Sequence, residues 1–259
     1  MQQGDTGAAV RDLQYRLNQR GYTTTQDGWY GDATAAAVRR FQADLGLVVD
    51  GIAGPRTLAA LRGDDTSKLL TQTALDTAAA RLDVPVASIM AVSEVETAGA
   101  GFLSDGRPVI LYERHIMYRE LAQAGHDADA LAGRYPDLVN PKRGGYMGGA
   151  SEHFRLQHAR AIDFDCALRS ASWGRYQIMG FHHATCGYDD VIDFVTAMDA
   201  SECAHLEAFV AFIAADEGLL RALKARKWAD FAKRYNGPSY KDNHYDVRLA
   251  LAYERHSSQ

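Results

Sequence analysis

Cysteine and proline are both scarce, at three and six of 259 residues. Cys166, Cys186 and Cys203 are an odd number and none lies in a Cys-x-x-Cys spacing, so they cannot all pair within the chain. Synthesis in a reducing cytoplasm is the expectation, and a free cysteine is most often a small buried hydrophobe. No apolar run approaches the roughly 20 residues of a spanning helix, which excludes stable membrane insertion. The opening Met1-Gln2-Gln3-Gly4-Asp5 lacks the basic and apolar regions of an export signal. An excess of positive charge is also missing: 28 basic residues stand against 33 acidic, a net charge of -5. Nothing therefore drives non-specific nucleic-acid binding, and no such partner is expected. With 47% hydrophobic and 24% charged residues, the chain is neither disordered nor collagen-like. Its length suits two domains or one large one.

An internal repeat organises the N-terminal part. Asp27-Gly28-Trp29-Tyr30-Gly31-Asp32-Ala33-Thr34 recurs 23 residues later as Asp50-Gly51-Ile52-Ala53-Gly54-Pro55-Arg56-Thr57, both copies reading D-G-x-x-G-x-x-T. Asp-Gly makes a tight turn, the second glycine is expected to take φ > 0, and the threonine is expected to begin or cap the next helix. Val10, Leu13 and Leu17, then Val38, Phe41 and Leu45, recur at helical spacing, and Gly21 and Gly46 follow as stops. A third helix starts near Pro55 and runs through Leu58 and Leu61.

These residues predict a three-helix unit. With Gly4-Asp5-x-Gly7-x-x-Val10-x-x-Leu13-Gln14-x-x-Leu17 and Ala37-Val38-x-x-Phe41-Gln42, it resembles the peptidoglycan-binding domain often joined to cell-wall hydrolases. The resemblance implies bacterial peptidoglycan as partner, with Asp27, Gly28, Gly31, Thr34, Asp50, Gly51, Gly54 and Thr57 as the turns of the binding module. Taken by themselves, the same residues build a compact fold.

The polar stretch Arg62-Gly63-Asp64-Asp65-Thr66 marks a boundary, giving domains at 1–62 and 67–259. Residues 1–63 hold 7 basic and 6 acidic residues, leaving 21 and 27 in the remainder, so the acidity belongs to the larger part. That part reads as mostly helical, over 67–82, 85–98, 114–124, 151–162, 175–184, 190–198, 202–215, 217–225, 227–234 and 242–253. One strand is expected at Pro108-Val109-Ile110-Leu111-Tyr112. The segment 134–149, with two prolines and four glycines, reads as a long and therefore functional or mobile loop.

Two carboxylates end the helix predicted over 85–98. At about 100° per residue, Glu94 and Glu96 point about 200° apart, and Glu96 lies near the direction of Val86, Ile89, Met90 and Val92. A carboxyl group facing the core is partly desolvated, which raises its pKa as a general acid near neutral pH requires.

Glu96-Thr97, then Ser172-Trp173-Gly174-Arg175-Tyr176-Gln177-Ile178-Met179-Gly180, then Tyr235-Asn236-Gly237-Pro238 is similar to the motif order of the lysozyme-like superfamily. Goose-type lysozymes and soluble lytic transglycosylases belong to it. With Ala91-Val92-x-Glu94-Val95-Glu96-Thr97-x-Gly99-x-Gly101-Phe102, Asp105-Gly106-Arg107-Pro108 and Leu111-Tyr112-Glu113-Arg114-His115, the C-terminal part resembles the N-acetylmuramidase domain of modular phage endolysins. The fold class implied is mainly α: a three-helix module, then a lysozyme-like, mostly helical catalytic domain with at most a small β element.

The resemblance places the catalytic acid on Glu96; Thr97 stands where serine is commoner. Glycoside hydrolysis by the common route uses a second carboxylate. Glu113 is the leading candidate because it directly follows the strand; its alternative is an ion pair with Arg114 or another base, and Asp105 and Glu94 are further candidates. The resemblance also implies that Arg114, His115, Trp173, Tyr176, Gln177, Tyr235 and Asn236 line the sugar cleft, aromatic faces packing on sugar C–H surfaces and amides bonding N-acetyl groups. Core packing is the other role open to Trp173 and Tyr176.

No metal or other cofactor is expected. His153 and His158 are five apart and His182-His183 adjacent, neither matching the His-Glu-x-x-His pattern. The expected protein is a monomeric endolysin that cleaves between N-acetylmuramic acid and N-acetylglucosamine. It is made without a signal peptide in the host cytoplasm and acts on the wall after membrane permeabilisation. A lytic transglycosylase, or a phage structural protein that binds the wall without cutting it, are the alternatives.

Overall fold

Each repeated turn closes around a buried glutamine. The computed structural model describes residues 1–96, 101–241 and 243–257, without the side chains of Glu96, Pro238 and Ser239. Helices α1 (Ala8–Gln19), α2 (Asp32–Asp44) and α3 (Pro55–Arg62) bring Val10, Leu13, Leu17, Val38, Phe41, Ala60 and Leu61 into one small core with Tyr30 and Leu47. Gln14 Nε2 donates to Asp27 Oδ1, the Trp29 carbonyl and Thr34 Oγ1 at 2.9, 3.0 and 3.0 Å, and Gln14 Oε1 accepts the Gly28 amide at 2.9 Å. Gln42 makes the same four bonds to Asp50, Ile52, Thr57 and Gly51, between 2.8 and 3.1 Å. Two buried amides, fully satisfied, thus specify both turns.

The turn chemistry differs from the expectation. The first glycine of each copy, Gly28 at φ 77° and Gly51 at φ 69°, is left-handed, because the preceding aspartate folds back to accept the amide two residues on. Gly31 and Gly54, at φ -87° and -81°, are extended and precede α2 and α3. Gly31 is needed for space: a Cβ there would lie 2.9 Å from the Trp29 ring. Thr34 and Thr57 turn inward to the glutamines instead of capping.

The second core is built on α4 (Gln72–Leu82), α5 (Val86–Glu96), α6 (Arg114–Gln123), α7 (Ala128–Arg134), α8 (Ser151–Arg160) and α9 (Phe164–Arg169). It continues through α10 (Val191–Ala200), α11 (Glu202–Ala215), α12 (Glu217–Lys224), α13 (Trp228–Tyr235) and α14 (Tyr245–Ser257). Helix α5 is buried on several sides through Ser88, Ile89, Ala91, Val92, Ser93 and Val95, and α14 lies along it. Three short antiparallel strands, β1 (Ile110–Tyr112), β2 (Ala171–Trp173) and β3 (Ile178–Met179), form one sheet in that order. Ile110 pairs with Trp173, and Trp173 with Ile178.

The helix expected over 175–184 is absent. Gly174 at φ 68° and Gln177 at φ 50° turn the chain back, so this segment becomes a hairpin followed by a 3-10 turn at Gly180–His182. The strand is shorter than 108–112, α4 starts at Gln72 instead of residue 67, and α7 and α9 were not anticipated. Both missed helices have Asp N-caps, Asp127 and Asp163, and only six or seven residues.

The segment between the two cores is pinned on both sides. Leu47 bridges Thr71, the Gln72 amide donates to the Gly46 carbonyl at 3.3 Å, and the Val49 amide donates to Gln72 Oε1 at 3.1 Å. Leu69 packs on the first core and Val48 on the second.

Candidate active site

Glu96 is the last residue of α5; its side chain and residues 97–100 lie outside the described residues. Because α5 is buried on several sides, no single apolar stripe sets its facing. Its last turn is held from outside instead. Arg175 Nη2 donates to the Ser93 carbonyl at 3.2 Å and Arg248 Nη2 to the Val95 carbonyl at 3.1 Å, two of the carbonyls a helix end leaves open. Glu94 pairs with Arg255 and His256 on α14. The His256 bond holds its carboxyl below the usual range, against a burial effect and with help from Arg255. Asp105 is bound by Arg107 in an exposed turn. Both alternatives to Glu113 are thus committed to surface ion pairs.

Glu113 differs from them in being only 4% exposed. It leaves β1 and precedes α6, its amide donating to the Ser170 carbonyl at 2.9 Å. Tyr146 Oη donates to its Oε2 at 2.8 Å, Arg143 Nη2 approaches Oε1 at 3.5 Å, and His115 Nδ1 lies 3.1 Å from Oε2. The base beside it is therefore Arg143, not Arg114. The Glu113 charge holds the Arg143 guanidinium above its usual pKa, and burial followed by the Glu113 bond raises that of the Tyr146 phenol. Arg114 points its guanidinium at backbone, donating to the carbonyls of Lys142, Pro136 and Arg143 at 3.0, 3.4 and 3.3 Å.

The glycine-rich loop before α8 is accordingly a strap across Glu113. Its far side is anchored on Glu152, which is fully buried: Oε1 accepts the Met147 and Gly148 amides at 2.6 and 2.9 Å, and Oε2 the Tyr112 amide at 3.2 Å and Arg155 at 2.7 Å. Burial raises the Glu152 pKa, but the two strap amides and Arg155 outweigh it and leave it lowered.

Several residues expected in the cleft are buried or bonded within the fold. Trp173 and Tyr176 are each only 3% exposed, so neither offers an aromatic face to a sugar. Trp173 Nε1 donates to the Leu168 carbonyl, and Tyr176 stacks on Phe209 with its hydroxyl 2.7 Å from Ser93 Oγ. The Gln177 amide is spent on its own hairpin, donating to the Gly174 carbonyl and accepting from Ser172 Oγ, both at 2.8 Å. Tyr235 Oη donates to the Tyr176 carbonyl at 2.8 Å, and the Asn236 backbone N–H donates to the Ala232 carbonyl at 2.8 Å, closing α13.

Tyr146, Arg143 and Glu152 were not singled out from sequence. The glycines at 144, 145, 148 and 149 marked their loop, but no local pattern showed that it folds back on Glu113. Burial pushes the Cys166 and Cys186 thiols up to about 12, which keeps both protonated and poorly nucleophilic. Among the described residues no helix is long and apolar enough to cross a membrane.

The mainly helical body with its three short strands is preceded by a separate helical module built on two repeated turns. The N-acetylmuramidase family model matches residues 85–257, most of the chain, and the model of a putative peptidoglycan binding domain matches residues 6–61. The chain belongs to the N-acetylmuramidase family. It is similar to the crystal structure of Burkholderia AP3 phage endolysin, with TM-score 0.91 and 54% identity over 100% of this chain and 99% of that one. It is 50% identical over 60 residues to a zinc D-Ala-D-Ala carboxypeptidase of Streptomyces albus G, covering 22% of this chain and 24% of that protein. A spore cortex-lytic enzyme of Bacillus cereus is 47% identical over 58 residues, 22% of each protein. The chain spans less than a quarter of the length of these two curated relatives.

Proposed function

We propose that this protein is a peptidoglycan hydrolase of the endolysin type that cleaves the β-1,4 bond between N-acetylmuramic acid and N-acetylglucosamine in a bacterial host wall. The observation that carries the reading is Glu113, a buried carboxylate at the end of a strand, inside the region matched by the N-acetylmuramidase model. Glu96 is the general acid that protonates the glycosidic oxygen. Glu113, gripped by Tyr146 and Arg143, is the second carboxylate, activating water or stabilising positive charge at the sugar. Residues 1–62 hold the enzyme on peptidoglycan and residues 67–259 cut. Separate cores and separate family matches support that division. The phage endolysin neighbour supports an enzyme made in the host cytoplasm that reaches the wall once the membrane is breached.

Digestion of purified peptidoglycan, with mass analysis of the fragments before and after borohydride reduction, tests the reaction. New reducible muramic ends are expected. Anhydro-muramic ends would make it a lytic transglycosylase, and no soluble fragments a wall-binding structural protein. Glu96→Gln is expected to lower turnover at least about 100-fold while binding to insoluble wall is unchanged. A variant with near-wild-type turnover would remove Glu96 from the mechanism.

A further inference from the structure

The first turn of α11 gathers four separate pieces of the chain on one carboxylate. Glu202 is fully buried. Its Oε1 accepts Arg56 Nη2 at 2.9 Å and the Gly101 amide at 2.7 Å, with Arg175 Nη1 at 3.5 Å; its Oε2 accepts the Leu70 amide at 3.0 Å. Arg56 belongs to α3 of the N-terminal module, Leu70 to the connection, Gly101 to the exit from α5, and Arg175 to the β2–β3 hairpin. Burial acts to raise the Glu202 pKa, but the two guanidiniums and two amides outweigh it, so the group is held as a carboxylate.

One helical turn on, His205 completes the arrangement. Its Nδ1 accepts the Arg175 amide at 3.0 Å and its Nε2 lies 2.7 Å from the Met198 carbonyl, which fixes the ring as the neutral Nε2–H form. Two glycines rest on this ring: a Cβ on Gly101 would come within 2.7 Å of it, and one on Gly174 within 2.8 Å. Gly101 is gripped on its other side as well, its carbonyl accepting the Val109 amide at 2.9 Å. Arg175 in turn reaches the Ser93 carbonyl in the last turn of α5.

We infer that Glu202 is a positioning residue for the reaction, and that Arg56 of the N-terminal module acts through it. The module does more than tether: its Arg56 supplies one of the donors that hold the carboxylate fixing Gly101, five residues beyond Glu96. The inference rests on the reading of Glu96 as the acid.

The test uses the full chain, comparing wild type with Arg56→Met and Arg56→Lys. Arg56 is partly exposed, at 31%, and belongs to neither apolar core, and Arg56→Lys keeps a cation beside Glu202. Hydrogen exchange of the Gly101 amide is read without substrate; kcat and KM are read on a short soluble glycan, and binding by sedimentation with insoluble peptidoglycan. Arg56→Met is expected to speed Gly101 exchange and lower kcat by about tenfold each. KM and sedimentation should stay at wild-type values, and Arg56→Lys should recover most of both losses. Unchanged Gly101 exchange in Arg56→Met overturns the inference, as does faster exchange with undiminished kcat. Full activity in Glu96→Gln would overturn the assignment of the acid alone, because the exchange measurement does not depend on it.

Discussion

Gln14 and Gln42 show what a single side chain can do when it is buried and fully bonded. Each amide closes one turn through four hydrogen bonds, so replacing it by alanine strands an aspartate, a threonine, a carbonyl and an amide. Buried groups left unpaired cost about 1–3 kcal/mol each, softened where water reaches them. Gln42→Ala is therefore expected to destabilise the N-terminal module by about 3 kcal/mol. Urea unfolding followed by the fluorescence of Trp29, which is half exposed in the first turn, measures it; a loss below about 1 kcal/mol would mean that the turns hold without the amide. Both glutamines were visible in the sequence as Leu13-Gln14 and Phe41-Gln42, and both aspartates, glycines and threonines around them as the repeat. What the repeat did not reveal was that its aspartates and threonines converge on the two glutamines.

At the scale of elements, the helices read from apolar spacing are largely where the spacing puts them: 202–215 coincides with α11, and 114–124 and 217–225 end one residue from α6 and α12. The failures share a cause. The segment 175–184 has helical composition, but Gly174 and Gln177 in left-handed conformation and pairing with β1 through β2 make it a hairpin, and pairing partners 60 residues away are invisible to a local pattern. For the same reason Glu113 was legible, standing after the expected strand, while the Tyr146 strap across it was not. The strap itself depends on one anchor. Glu152→Gln keeps one acceptor oxygen, sets an NH2 donor against N–H groups in place of the other, and removes the charge that Arg155 pairs with. It is expected to destabilise the C-terminal core by about 3 kcal/mol. It should also lower kcat on soluble glycan about tenfold as Tyr146 loses its hold on Glu113. Chemical unfolding and steady-state turnover check the two parts, and a strap that works equally well without the Glu152 charge would leave turnover unchanged.

Across the whole molecule, two fully buried glutamates, Glu152 and Glu202, each pair with arginine and accept backbone amides from distant segments, and both have carboxyl groups held below their ordinary value of 4.5. A group whose pKa is lower in the folded state stabilises above its unfolded value, and that contribution disappears as pH falls through the folded one. Each unit of lowering is worth about 1.4 kcal/mol at neutral pH. The urea midpoint is thus expected to hold steady from about pH 7 to pH 5.5 and to drop as pH falls below about 4.5. A midpoint at pH 3.5 equal to that at pH 6 would mean that Glu152 and Glu202 keep their partners when protonated. The net charge of -5 gives no long-range electrostatic pull toward an anionic polymer, and residues 1–63 are near neutral.

The pinned connection around Leu47, Gln72 and Thr71 has a mechanical consequence. A loose tether lets a cutting head sweep a volume around its anchor at a local concentration set by tether length. On the proposed division into a binding and a cutting part, the contacts that pin the connection restrict that sweep, so each grip on the wall presents a narrow patch to be cut. Advancing along the mesh then requires letting go, which makes the speed of release from the wall, more than its tightness, the quantity that sets how fast a wall comes apart.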